Sequence, residues 1–242
     1  MAPVFALVSK NQTLKLAFEY FLLALAIFWF KSTGGFWLSL LVLISLTYLY
    51  LRTTAQASRF FIAAISLAIL VFIFPINLEQ RLNLISFSLF SSLVAYLLIG
   101  TKNIIFINRR FTSQLVYFLI WSGGAYMLFS AFSLRRQIFF FILSALLFKE
   151  LYQFLTEDSR GVSLLKSLTL SLVALETAWA VSLLPFGMIS SLILLIANIY
   201  MIHYLILNYE SSLPDAKLVF KCICALLGIA FALSFFSNWN LS

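Results

Sequence analysis

The sequence predicts an all-α protein, a polytopic membrane bundle of about nine transmembrane helices joined by short loops. Three observations predict it. Of 242 residues, 63% are hydrophobic and only 10% are charged, against about 25% charged in a soluble domain, so the apolar surplus exceeds one globular core and must face lipid. The apolar runs are continuous rather than alternating with period two, which excludes a β-barrel. No gap between runs could hold a soluble domain, so residues 1–242 read as a single transmembrane domain.

Spanning a bilayer takes roughly 20 apolar residues in a helix, or about 17 with snorkelling flanks. The first helix is expected over Leu14–Phe30. Lys10 and Lys15 precede it as in a signal peptide, but Trp29-Phe30-Lys31 stands where a small-residue cleavage site belongs, so the helix is retained. After the turn residues Thr33-Gly34-Gly35 the second covers Phe36–Leu51, and the third covers Phe60–Ile76 with Pro75 near its end. The fourth follows over Leu84–Gly100 and the fifth over Ser113–Ser133. The sixth, Ile138–Leu155, carries Lys149, Glu150 and Gln153 in its last turns, where the two charged groups snorkel to headgroups. Pro185-Phe186-Gly187 turns the seventh, Leu164–Pro185, into the eighth, Gly187–Asn208; Leu213-Pro214-Asp215 precedes the ninth, Lys217–Phe236.

The net charge of +8 would suggest nucleic acid in a soluble protein. Here the sixteen Lys and Arg residues are scattered between apolar runs, and that partner is excluded. Twelve of them fall at the amino end and in the even-numbered loops and four in the odd-numbered loops, which places the amino end in the cytoplasm and the carboxyl end outside. Trp29, Trp37 and Trp239 then belong to an outer aromatic belt, and Tyr50, Tyr152 and Tyr209 to an inner one. Short spans and compact loops point first to a bacterial plasma membrane, with an organelle or thin eukaryotic membrane as the alternative. Lys102, Arg109 and Arg110 form the strongest candidate anchor for lipid phosphates. Membrane lipids are the expected partners, together with a second copy or another membrane protein. Cys222 and Cys224 lie two apart, about 200° around a helix, a poor geometry for a mutual disulfide.

Ionisable groups inside a bilayer are costly and mark function first. Glu176 lies near the middle of the seventh helix, where desolvation favours the neutral acid unless a partner or cavity supports the ion. It shares a face with Thr169, Leu172, Ala180 and Leu183, opposite a ladder of Ser163, Ser167, Ser171, Ala174, Ala178 and Ser182. Small ladders permit close helix packing, so this helix is expected at the centre of the bundle. The antiparallel turn at Pro185 brings Glu176 level with Ile196 and close to Asn198, making Asn198 or Thr177 its expected partner. His203, roughly 10 Å deeper, is level with Glu19, and the two are a candidate titrating pair. Ser122-Gly123-Gly124 in the fifth helix completes the candidate midplane site, since paired glycines mark either close packing or an unwound solute site.

One histidine and no ligand-spaced Cys, His or Asp leave no expected metal, and the absence of a phosphate-cradling glycine loop leaves no expected cofactor. The leading functional expectation is a small transporter or channel built on Ser122, Gly123, Gly124, Glu176 and Asn198. A structural or assembly subunit is the alternative, and a lipid-modifying enzyme using Lys149, Glu150, Glu157, Asp158 and Arg160 at the cytoplasmic rim is the third.

Overall fold

The computed structural model describes residues 2–51, 60–74, 81–102, 108–156, 159–184, 186–209 and 216–236, and within them the fold is helical, with no strand. The described helices are α1 (Ala2–Thr33), α2 (Phe36–Leu51), α3 (Phe61–Ile73), α4 (Arg81–Lys102), α5 (Arg109–Ser130), α6 (Leu134–Leu155), α7 (Arg160–Ser182), α8 (Met188–Tyr209) and α9 (Ala216–Phe236). Each overlies one expected apolar segment. Those of α4 to α7 begin about a turn early because arginine-bearing first turns, such as Arg109-Arg110 and Arg135-Arg136, continue the helix beyond the apolar stretch. Pro75, Pro185 and residues 213–215 lie outside the described residues.

Five helices are long and apolar enough to cross a membrane, over Asn83–Thr101, Leu134–Leu155, Arg160–Ser182, Met188–Asn208 and Lys217–Phe235. By contrast α2 has 16 residues and α3 has 13, about 24 and 20 Å of helix against a hydrocarbon core of about 30 Å.

Two compact units meet in sequence within α5, Met1–Ile120 and Trp121–Ser242. In the first, α1 packs against α4 and α2, and α3 packs against α4 and α2. The α4 surface buries Ser88, Ser91, Ser92 and Ala95, small residues that let a neighbour approach closely. The Ser92 hydroxyl donates to the Tyr20 carbonyl of α1, and the Tyr20 and Tyr96 rings meet edge to face at 5.6 Å. Gly34 takes the left-handed conformation, φ 65°, that ends α1, with its N–H bonded to the Phe30 carbonyl at 2.9 Å. One residue beyond the expected first span, Lys31 donates from Nζ to the Phe72 and Phe74 carbonyls at 3.1 Å each, capping the end of α3. The Phe30 and Phe87 rings flank its ammonium at 5.5 and 5.8 Å, and burial pushes Lys31 below the usual lysine range.

In the second unit α7 packs between α6 and α8, and α9 packs on α8. Arg136 of α6 donates to the Met127 carbonyl at 2.9 Å and to Ser130 Oγ at 2.7 Å, capping α5 as Lys31 caps α3. On α9, Cys224 is exposed and a Cβ built on Gly228 would meet nothing within 4 Å, so the small-residue face of that helix is unpacked. Cys222 is half-buried and Cys224 exposed, and the two are not bonded to each other.

The aromatic belts need correcting. Trp29 and Trp37 are exposed, whereas Tyr50 and Tyr152 are buried core residues, with 5% and 0% of their surface accessible, and so do not present their rings to a membrane interface. The side chain of Tyr209 and all of Trp239 lie outside the described residues.

Candidate functional site

Helix α7 has two faces of opposite character. Ser163, Ser167, Ser171, Ala174 and Ala178 are buried with Leu170 and Val181, and of the expected ladder only Ser182 is exposed. The serine hydroxyls bond back into their own helix, Ser171 Oγ to the Ser167 carbonyl at 2.6 Å and Ser167 Oγ to the Leu164 carbonyl at 2.8 Å. Such a surface is smooth and internally satisfied, which suits close helix packing.

Glu176 is on the other face. It is exposed, between exposed Leu172 and Trp179, and has no side-chain partner among the described residues. The hairpin register expected about Pro185 is otherwise observed: Asn198 Nδ2 of α8 donates to Thr177 Oγ1 at 3.1 Å. Asn198 is thus joined to the neighbour of Glu176 rather than to Glu176 itself. Within its own unit α7 packs between α6 and α8 with its ladder buried, and its carboxyl face is exposed.

Ser122, Gly123 and Gly124 lie within α5, which continues as α-helix through Ser130. A Cβ on Gly124 would overlap the tip of the Leu143 side chain of α6, so a side chain at 124 has room only if Leu143 Cδ2 moves aside. One turn away Trp121 Nε1 donates to Ser144 Oγ at 2.8 Å, and Ser144 donates to the Phe140 carbonyl at 2.7 Å. Around Trp121 the Phe140 and Phe148 rings lie at 5.5 and 5.9 Å.

His203 closes the same buried cluster from α8. It is 1% accessible, its Nδ1 lies 3.1 Å from the Tyr152 hydroxyl, and the two rings are 5.4 Å apart. Glu19, half-buried in α1, belongs to the first unit and His203 to the second. Lys102 ends α4 and Arg109 opens α5, with side chains outside the described residues, while Arg110 is exposed. Of the proposed rim residues, Lys149 and Glu150 are half-buried, Arg160 is exposed, and Glu157 and Asp158 lie outside the described residues.

Sequence reasoning missed the Trp121–Ser144 and Tyr152–His203 bonds. The signal was available: in an antiparallel α5–α6 hairpin Trp121 falls level with Ser144 and Gly124 with Leu143, and a buried indole needs an acceptor.

A cleft of about 480 Å³ opens in the first unit between α2, α3 and α4. Its walls are apolar side chains such as Leu43, Phe61, Ala64 and Leu98, relieved by Thr47 and Tyr50. The Thr47 hydroxyl is already committed to the Leu43 carbonyl at 2.8 Å, so the cleft suits hydrocarbon rather than a polar solute. No grouping of three His, Cys, Asp or Glu side chains suited to a metal occurs among the described residues. The chain matches no protein-family model, no curated protein and no solved structure.

Proposed function

We propose that this is a structural or assembly subunit of a membrane complex, an integral membrane protein whose polar midplane groups hold helices together. In this reading all nine helices are bilayer-embedded, the amino end is cytoplasmic, the carboxyl end is outside, and the thin spans α2 and α3 suit a bacterial plasma membrane. One observation carries it: Glu176 is exposed on an apolar helix, well inside its bounds although nearer the end at Ser182 than the start at Arg160. Ionisable side chains at that depth almost always face protein or a water-filled cavity, so the Glu176 face of α7 is where another membrane protein covers this one. The other midplane groups support the same reading, since Gly124 serves packing and Asn198 and Trp121 are bonded across helices.

The test is a photo-reactive amino acid incorporated at Leu172, beside Glu176 on the exposed face, followed by irradiation in intact membranes. A covalent protein adduct is the expected result. Adducts to lipid alone would overturn the reading.

A second reading, a small transporter or channel, draws on the Asn198–Thr177 bond, which puts two more polar side chains beside Glu176 at one level. Solute or proton flux in proteoliposomes, lost in Glu176→Gln while assembly is unchanged, would favour transport instead.

A further inference from the structure

We infer that the cleft between α2, α3 and α4 holds one acyl chain of an anionic glycerophospholipid, with the lipid phosphate on the Lys31 ammonium. The site belongs to the first unit alone. It rests on the reading above that α2 and α3 are bilayer-embedded, and it is independent of any protein partner on α7. The cleft, about 480 Å³ in volume, is lined along the whole of α3, from Phe61 to Ile73. That is about 18 Å of helix, against about 15 Å for one leaflet of the hydrocarbon core. A further helix, about 10 Å across, would fill the same volume within little more than a turn, so the space takes a thin, flexible hydrocarbon and not a packing helix.

The two ends of the cleft differ. At one, the Tyr50 and Phe61 rings stand 6.0 Å apart, and Thr47, one turn from Tyr50, spends its hydroxyl on its own helix. At the other, the backbone of cleft-lining Phe72 meets the half-buried Lys31, whose Nζ donates to the Phe72 and Phe74 carbonyls at 3.1 Å each. An ammonium has three protons to donate. Two are placed by these bonds, and among the described residues neither a third acceptor nor a carboxylate meets the last. The Phe30 and Phe87 rings that flank it supply no anion. A partly desolvated cation with an open donor favours a phosphate oxygen, since hydrogen bonds between opposite charges are the strong ones. Charge at one end and an apolar slot of leaflet length running from it select a single class of occupant, which a bilayer supplies in one molecule.

The probe is a phosphatidylglycerol with a photo-reactive diazirine in one acyl chain, present at low level in phosphatidylcholine vesicles that hold the full chain. Irradiation is expected to place adducts on cleft residues such as Leu46, Ala68 and Leu98 in excess over α9, whose large apolar side chains are exposed outside any such cleft. The same diazirine carried on phosphatidylcholine should label the cleft about fivefold less, the worth of one basic residue toward an anionic lipid. Lys31→Met should abolish that ratio and Lys31→Arg should keep it. Ala68→Phe fills the cleft and leaves Lys31 in place, so it should lose the adducts on α2 and α4 and retain those on α9.

Labelling of the cleft and α9 in proportion to their exposure would overturn the site, as would equal labelling by the two lipids in the parent chain or unchanged cleft adducts in Ala68→Phe. Adducts on α4 and α9 with none on α2 and α3 would overturn the embedding of those two helices as well. The comparison of lipids is made on the parent chain, so it decides the matter even if Lys31→Met, which also uncaps α3, fails to fold.

Discussion

Gly124 shows how one missing methyl group makes room for a side chain of the next helix. Its Cα faces Leu143, where a Cβ would overlap the side chain, and Leu143 is itself buried against movement, 5% accessible. Gly124→Ala gains up to about 1 kcal/mol of helix propensity and loses about as much to overlap, so its net effect should be small. Gly124→Val has no such compensation and should destabilise by about 1 to 3 kcal/mol. Leu143→Ala, which opens space at the same point, should cost about 2 to 5 kcal/mol alone yet combine with Gly124→Val at less than the sum. Reversible unfolding of the three variants measures that coupling, and strict additivity would show that the two residues do not meet. The sequence signalled this position, since paired glycines at mid-helix mean either unwinding or close approach. It could not choose between them, because the choice depends on the side chain across the interface.

At the level of the element, α7 was half legible. The small ladder announced a packing face, and Ser163 through Ala178 are indeed buried. A helical wheel defines two faces but not whether the second has a neighbour, and within its own unit α7 leaves the Glu176 face exposed. The same limit explains Tyr152, whose position near a helix end suggested a belt residue although the chain brings His203 onto its hydroxyl. The two faces of α7 predict opposite outcomes for matched substitutions. Ala174→Leu on the ladder should cost about 1 to 3 kcal/mol of folding stability by overpacking, with no separate effect on association. Leu172→Ala on the exposed face should leave the melting temperature within error, since an exposed side chain contributes little to its own fold, and should reduce association with the proposed membrane partner. Thermal melts of the purified chain, set beside the mass of the complex extracted from intact membranes, separate the two.

For the whole molecule, the asymmetry of positive charge becomes sharper once the exceptions are placed. Four basic residues fall in the odd-numbered loops, the expected outer side: Lys31, Arg81, Arg135 and Arg136. Two of these already have structural partners. Lys31 caps the last carbonyls of α3 and Arg136 those of α5, positions where a cation is favoured by the helix dipole as well as by hydrogen bonds. Under the proposed orientation these two charges cap helices that end on the outer side, so they are committed to folding as well as to topology. Nine crossings and five crossings both put the termini on opposite sides, but five, by the long apolar helices alone with α1, α2, α3 and α5 lying in the interface, would exchange the first, third and fourth loops between sides. A membrane-impermeant thiol reagent distinguishes these. In a cysteine-free chain, cysteines placed at Thr33, Ser133 and Gly187 should label from outside the cell, and one placed at Ser159 should label only after permeabilisation. Lys31→Met should then lower stability by about 1 to 2 kcal/mol and leave the labelling pattern unchanged, because the twelve-to-four balance it perturbs is already large. Labelling of Thr33→Cys only after permeabilisation is the mark of five crossings, and labelling of Ser159→Cys from outside would require an odd number of α1, α2, α3 and α5 to lie outside the hydrocarbon.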